Sequence, residues 1–237
     1  MKITLIVPCF VDALNPRVAI AVVRLLERLG HTVDVAEELN CCGQPAFNSG
    51  CWAEARPVAE RVLARLREAE TVVLPSGSCG AMLRRFYPDL FAGTLHAAAA
   101  RALAGRVYEF AEFLVDRLGV CDLGARFPHR VTYHDGCHSL RELGIRDAPR
   151  RLLARVRDLE LVEMKQVVCC GFGGTFAAKF PMISTAMGEV KIAEAQAMGA
   201  EYIVSCDSSC LMHVQGLIDR QGLGLKTIHL AEVLATS

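Results

Sequence analysis

Cys41-Cys42-Gly43-Gln44-Pro45 and Cys169-Cys170-Gly171-Phe172-Gly173 are two copies of one signal. Between Cys9 and the first copy lie 31 residues, and 31 also lie between Cys137 and the second. A distal cysteine closes each frame: Cys79 in the first and Cys210 in the second, with Cys206 close by. Nine of the 11 cysteines therefore fall in or beside a repeated frame. A hydrophobic core has no reason to space thiols equally. A metal or iron–sulfur centre does, because soft thiolates are its preferred ligands.

The segments around the cysteines repeat as well. Ile3 to Val7 is a continuous apolar run that predicts a buried strand. Val18 to Leu29 has helical spacing up to Gly30, a helix-ending residue. His31 to Val35 alternates as a strand, Ala53 to Ala69 reads as an amphipathic helix, and Thr71 to Leu74 is a third strand running into Pro75-Ser-Gly-Ser-Cys79. The second half predicts strands at Arg130 to Tyr133, Leu159 to Glu163 and Tyr202 to Val204, with helices at Pro149 to Val156 and Ser184 to Met198. Even the ends match, since Val107-Tyr-Glu-Phe-Ala-Glu-Phe-Leu114 parallels Thr227-Ile-His-Leu-Ala-Glu-Val-Leu234.

Strands alternating with helices imply parallel sheets covered by helices. The expected class is α/β, with two similar halves, residues 1–120 and 121–237, related by a pseudo-twofold axis. Sites in such folds form beyond the carboxyl ends of strands. Cys9, Cys79, Cys137 and Cys206 each follow a predicted strand end, so the loops of each half are expected to converge on one point.

Composition narrows the function. Lys plus Arg and Asp plus Glu balance at 26 each, which argues against a nucleic-acid binder driven by bulk charge. No run reaches the roughly 18 to 20 uncharged apolar residues of a membrane span, so an integral membrane protein is not expected. The N-terminal Met1-Lys-Ile-Thr-Leu-Ile-Val-Pro8 is too short for a signal peptide and precedes no small-residue cleavage site. A cytoplasmic, reducing setting is expected, where many cysteines favour metal or redox chemistry over structural disulfides.

The second frame offers five thiols, Cys137, Cys169, Cys170, Cys206 and Cys210, more than a tetrahedral zinc needs. The first offers four, Cys9, Cys41, Cys42 and Cys79, and is expected to be smaller, weaker or differently occupied. Gly171, Gly173 and Gly174 let the backbone approach a centre and donate N–H bonds to sulfur. His134 and His138 flank Cys137 as donors behind the ligands or as proton carriers. Cys51 and Cys121 lie outside the frames and read as small core residues. No Gly-x-Gly-x-x-Gly dinucleotide fingerprint is present.

At Cys41 to Gly50, Pro75 to Cys79, Cys169 to Phe176, Cys210 to Met212 and His229 to Val233 the chain resembles the cysteine-rich CCG-domain family. That family includes the cysteine-rich subunits of heterodisulfide reductase and of the anaerobic glycerol-3-phosphate dehydrogenase, and the glycolate oxidase iron–sulfur subunit. The match is closest to its lactate-utilisation members. The resemblance implies two CCG-type halves whose cysteines hold an iron–sulfur cluster, of noncubane [4Fe-4S] type, with zinc as a substitute. It also implies an electron-transfer subunit of an oxidoreductase complex that oxidises L-lactate to pyruvate. The implied partners are a ferredoxin-like iron–sulfur subunit and a further lactate-utilisation subunit.

The chain departs from the family at two points. Fuller members close each frame with Cys-x-x-Cys, but Ser76 and Asp207 stand three residues before Cys79 and Cys210. An Asp or Ser oxygen can replace a thiolate there. The compact Cys-x-x-Cys-x-x-Cys run of ferredoxin-type clusters is also missing, which leaves that function to a separate subunit. Two other classes stand beside the electron-transfer reading. One is a zinc-binding structural or interaction subunit. The other is a thiol–disulfide redox protein, which a strained vicinal disulfide and the lack of a helix-opening Cys-x-x-Cys disfavour.

Overall fold

The computed structural model describes residues 1–236. Its strands are β1 Lys2–Leu5, β2 Thr32–Val35, β3 Val72–Leu74, β4 Val107–Glu109, β5 Arg130–Tyr133, β6 Glu160–Val162, β7 Tyr202–Ser205 and β8 Lys226–His229. They form two four-stranded sheets of the same order, β2-β1-β3-β4 and β6-β5-β7-β8. Every pairing is parallel. Parallel neighbours need helical crossovers, and these cover both faces of a sheet. Hence Val72-Val-Leu74 is wholly buried and reads as an unbroken apolar run, whereas edge strand β2 is partly exposed.

Each predicted strand has its counterpart. The predicted helices appear as Pro16–Arg28, Trp52–Arg65, Asp147–Leu153 and Pro181–Ala197. All four start earlier than the apolar period suggests, and in two of them Pro16 and Pro181 occupy the first turn, where a missing N–H costs nothing. Helices also begin at or beside the framed cysteines: Cys9–Leu14, Gly77–Ala81, Cys137–Arg141 and Ser208–Arg220. The first three are too short to show a period, so they read as loops. Among the described residues no helix is long and apolar enough to cross a membrane.

One core joins the halves. Ile3, Leu5, Leu25 and Leu26 pack with Phe113, Leu114, Val131, Leu152, Val204 and Leu234. The last helix of each half lies on the first long helix of the other: Leu230–Leu234 on Pro16–Arg28, and Phe110–Glu112 on Asp147–Leu153. Both exchanged helices start with a capping box. The Glu109 carboxyl group accepts from the Ala111 and Glu112 N–H groups, and His229 Nδ1 accepts from the Ala231 N–H. This reciprocal exchange, on two sheets of identical order, is the arrangement that two similar α/β halves require.

Candidate metal centres in the cleft between the halves

Strand order places a topological switch between β1 and β3 in one half and between β5 and β7 in the other. Ligand crevices open at the carboxyl ends of such strands. Cys9 and Cys137 open the helices that follow β1 and β5, and Cys79 and Cys210 sit in the first turns after β3 and β7. The Cys-Cys pairs arrive on loops after β2 and β6. Gly43 and Gly171 follow them with φ of 86° and 92°, the left-handed region that glycine favours. A Cβ on Gly43 would lie 3.3 Å from the Ala55 carbonyl, and one on Gly171 would press on the Ser184 carbonyl. The third letter of the motif is thus fixed by conformation and by close approach to a helix.

Within each half the thiols neighbour one another in a run, Cys9–Cys41–Cys42–Cys79 and Cys137–Cys169–Cys170–Cys210. Cys42 Sγ lies 3.3 Å from Cys79 Sγ. Cys41 accepts from the Cys42 and Cys9 thiols and from the Gly43 N–H at 3.3 Å, which holds its pKa far below the ordinary thiol value. Cys169 accepts from Cys137, from Cys170 and from the Gly171 N–H at 3.4 Å, with the same result. Donation to these sulfurs, followed by burial, pushes Cys9, Cys42, Cys137 and Cys170 up. Thiols packed against one another and against backbone N–H groups favour loss of a proton within each set, and the thiolate is the form that binds metal.

Both sets face one cavity of about 90 Å³, where a single water needs only about 10–15 Å³. Phe10 from the first half meets Phe172 from the second edge-on at 5.3 Å on its wall. Nearby, Ser49 Oγ lies 2.9 Å from Thr175 Oγ1, again across the halves. Soft thiolates in fours, backed by N–H groups, fit a soft metal ion or an iron–sulfur centre.

Of the cysteines expected to gather, Cys206 is the one the structure keeps apart. It is buried in the core between the halves, accepts from the Tyr133 hydroxyl at 3.2 Å and faces Glu109. The reason is alternation: Cys206 continues the face of Val204, which points into that core. The second set therefore has four clustered thiols, as the first does. Cys51 is exposed rather than in the core, and Cys121 is half-buried against the shared core. His138 Nδ1 stands 3.7 Å from Cys137 Sγ.

Ser76 and Asp207, where Cys-x-x-Cys relatives carry thiols, bind one another. Asp207 Oδ1 accepts from Ser76 Oγ at 2.8 Å and from the Ser78 N–H at 3.0 Å, while Oδ2 accepts from Ser139 Oγ at 3.4 Å. By their spacing Ser76 and Asp207 stand where oxygen ligands could replace thiolates. The structure engages them in a tie between the halves instead.

A two-lobed α/β protein that brings two four-thiol sets to one cleft is a cysteine-rich protein with the donors that a metal or iron–sulfur centre needs. The chain belongs to the CCG cysteine-rich domain family, whose model matches residues 3–84 and 131–215, once in each half. It is 45% identical over 236 residues to "Lactate utilization protein A" of Geobacillus kaustophilus, covering 99% of this chain and 98% of that protein. The proteins of the same name from Bacillus velezensis and Oceanobacillus iheyensis are 44% and 43% identical. Those matches cover 99% and 100% of this chain and 99% and 97% of the relatives. Among solved structures, a putative Asp/Glu racemase from Yersinia pestis aligns over 99% of this chain and 96% of its own. Its TM-score of 0.42 and 11% identity are too low to bear on fold or function.

Proposed function

We propose that this chain is an iron–sulfur electron-transfer subunit of a complex that oxidises L-lactate to pyruvate. The observation that carries the reading is the pair of four-thiol sets facing one cleft. The substrate comes from relatives named for lactate utilisation. Cys9, Cys41, Cys42 and Cys79 would hold one centre, and Cys137, Cys169, Cys170 and Cys210 the other. When bound, an iron–sulfur centre accepts and passes single electrons. The chain's own contribution is electrostatic. N–H groups of Gly43, Gly171 and Phe172 point at the sulfurs of Cys41, Cys169 and Cys170, stabilising added negative charge. Phe10 and Phe172 exclude water from one wall. The eleven free thiols suit a reducing compartment, the cytoplasm.

Lactate oxidation releases two electrons and two protons. No flavin, nicotinamide or ferredoxin-type motif occurs in the sequence, so the complex draws on a ferredoxin-like iron–sulfur subunit and a further lactate-utilisation subunit. The test is anaerobic reconstitution of the full chain, followed by iron and sulfide analysis and visible absorption. Coloured protein binding iron and sulfide in both cysteine sets is expected, with L-lactate turnover only after the partner subunits are added. Cys170→Ser should abolish that turnover. A colourless protein that keeps zinc alone, or steady turnover by the single chain with an artificial acceptor, would overturn the proposal.

A further inference from the structure

The two thiol sets match, but what stands behind them does not. Counting back equally from Cys9 and Cys137, Ile6 of the first half falls on His134 of the second. Gly43 packs on Ala55 as Gly171 packs on Ser184, and the same register along those helices sets Val62 against Lys191. The first set is therefore backed by apolar groups and the second by an imidazole and an amine.

His134 is 1% exposed, and neither ring nitrogen has a hydrogen-bond partner among the described residues. Buried imidazoles are normally paired. Its backbone is pinned, since the N–H donates to Val204 O at 2.8 Å and the carbonyl accepts from Ser205 Oγ at 2.9 Å. A ring nitrogen lies with Cys170 Sγ and Cys210 Sγ in a group whose donor atoms are all within 4.8 Å of one another. Metal–sulfur bonds of about 2.3 Å and metal–nitrogen bonds of about 2.0–2.1 Å put donors roughly 3.5–3.8 Å apart, so side-chain shifts of about 1 Å close the set. Lys191 supplies an independent sign. It is 1% exposed, its close polar contact is Met164 Sδ at 3.4 Å, and no carboxylate pairs with it among the described residues. A buried amine calls for an anionic neighbour, which a metal–thiolate centre provides.

We propose that His134 is a nitrogen ligand of the second centre, binding a metal ion together with Cys170 and Cys210, while the first centre is held by sulfur alone. The inference rests on the reading that the thiol sets hold metal, but not on the identity of that metal.

The test uses the full chain labelled with ¹⁵N-histidine and carrying Cys41→Ser and Cys42→Ser, so that the first set is disabled. Zinc alone is titrated anaerobically, and the imidazole nitrogens are followed by long-range proton–nitrogen spectra. The ring resonances of His134 should move at one equivalent of zinc. His134→Leu should weaken zinc binding at least tenfold here, yet leave it unchanged when Cys169→Ser and Cys170→Ser disable the second set instead. Should His134→Leu fail to fold, the spectra of the protein with His134 intact still decide. Unmoved His134 resonances at zinc saturation, or no zinc bound by the second set, overturn the inference. Parallel loading with iron and sulfide separates the two readings. Zinc that moves His134 in a protein refusing iron removes the proposed function and keeps the inference. Iron that binds while zinc leaves His134 unmoved does the reverse.

Discussion

Asp207→Ala should loosen the join between the halves by about 2–4 kcal/mol. Asp207 is 2% exposed and accepts three hydrogen bonds, two from the first half and one from the second. Bonds to a charged acceptor contribute about 1.5–3 kcal/mol each, and the 3.4 Å contact to Ser139 adds little. The deletion also strands the Ser78 N–H. Set against this, removing a buried carboxylate with no cationic partner among the described residues relieves part of its desolvation. Asp207→Asn keeps the Oδ1 acceptor and turns an amide toward Ser139, so its loss should stay near 1 kcal/mol. The assay is urea unfolding of the reduced, metal-free protein. With a slope of about 2–3 kcal/mol/M, the alanine variant's midpoint should fall by about 1 M at unchanged slope. An alanine variant within about 0.5 kcal/mol of the parent, or an asparagine variant equally destabilised, would refute the tie.

Gly77→Ala drives a Cβ into the Ser139 side chain from the other half and should destabilise by about 1–3 kcal/mol or more; Ser139→Gly should recover part of that loss in a double-mutant cycle. Burial pushes the Glu109 carboxyl up to about 8 from its ordinary 4.5, so the native state holds its proton more tightly than the unfolded chain. Its stabilisation is therefore complete below pH 4.5 and is lost as pH rises to 8, with a ceiling of about 5 kcal/mol. Thermal melts of Glu109→Gln should show a flatter pH dependence between pH 5 and 8 than the parent, and parallel curves would remove Glu109 as the cause. Burial lowers the pKa of Lys191, so Lys191→Met should stabilise the metal-free protein against urea by about 1–3 kcal/mol. The same change should reduce iron retained per chain after reconstitution, and unchanged retention would detach Lys191 from the second centre.

Much of the architecture is legible along the chain. The buried strands appear as short apolar runs because parallel strands are covered on both faces, and the equal Cys9 and Cys137 frames announce a duplicated unit. Placing cysteines beyond strand ends follows from the general behaviour of open parallel sheets. The short helices that start at Cys9, Gly77 and Cys137 are hidden in the sequence, since one turn carries no periodic signal.

The linear order by itself determined two α/β halves, the positions of six of their eight strands, and which cysteines belong to each frame; Val107–Glu109 and Lys226–His229 showed only as matching ends. Only the tertiary structure decided that both frames open on one cleft, because that depends on how the two sheets are set against each other by the exchanged helices. It also decided that Cys206 turns into the core, that Ser76 and Asp207 bind each other, and that His134, unpaired among the described residues, stands behind Cys170 and Cys210. Each of these is set by side-chain direction at the end of a strand and by contacts between residues far apart in the chain. Spacing along a chain counts residues, but it does not record which face a side chain takes or what meets it from the other half.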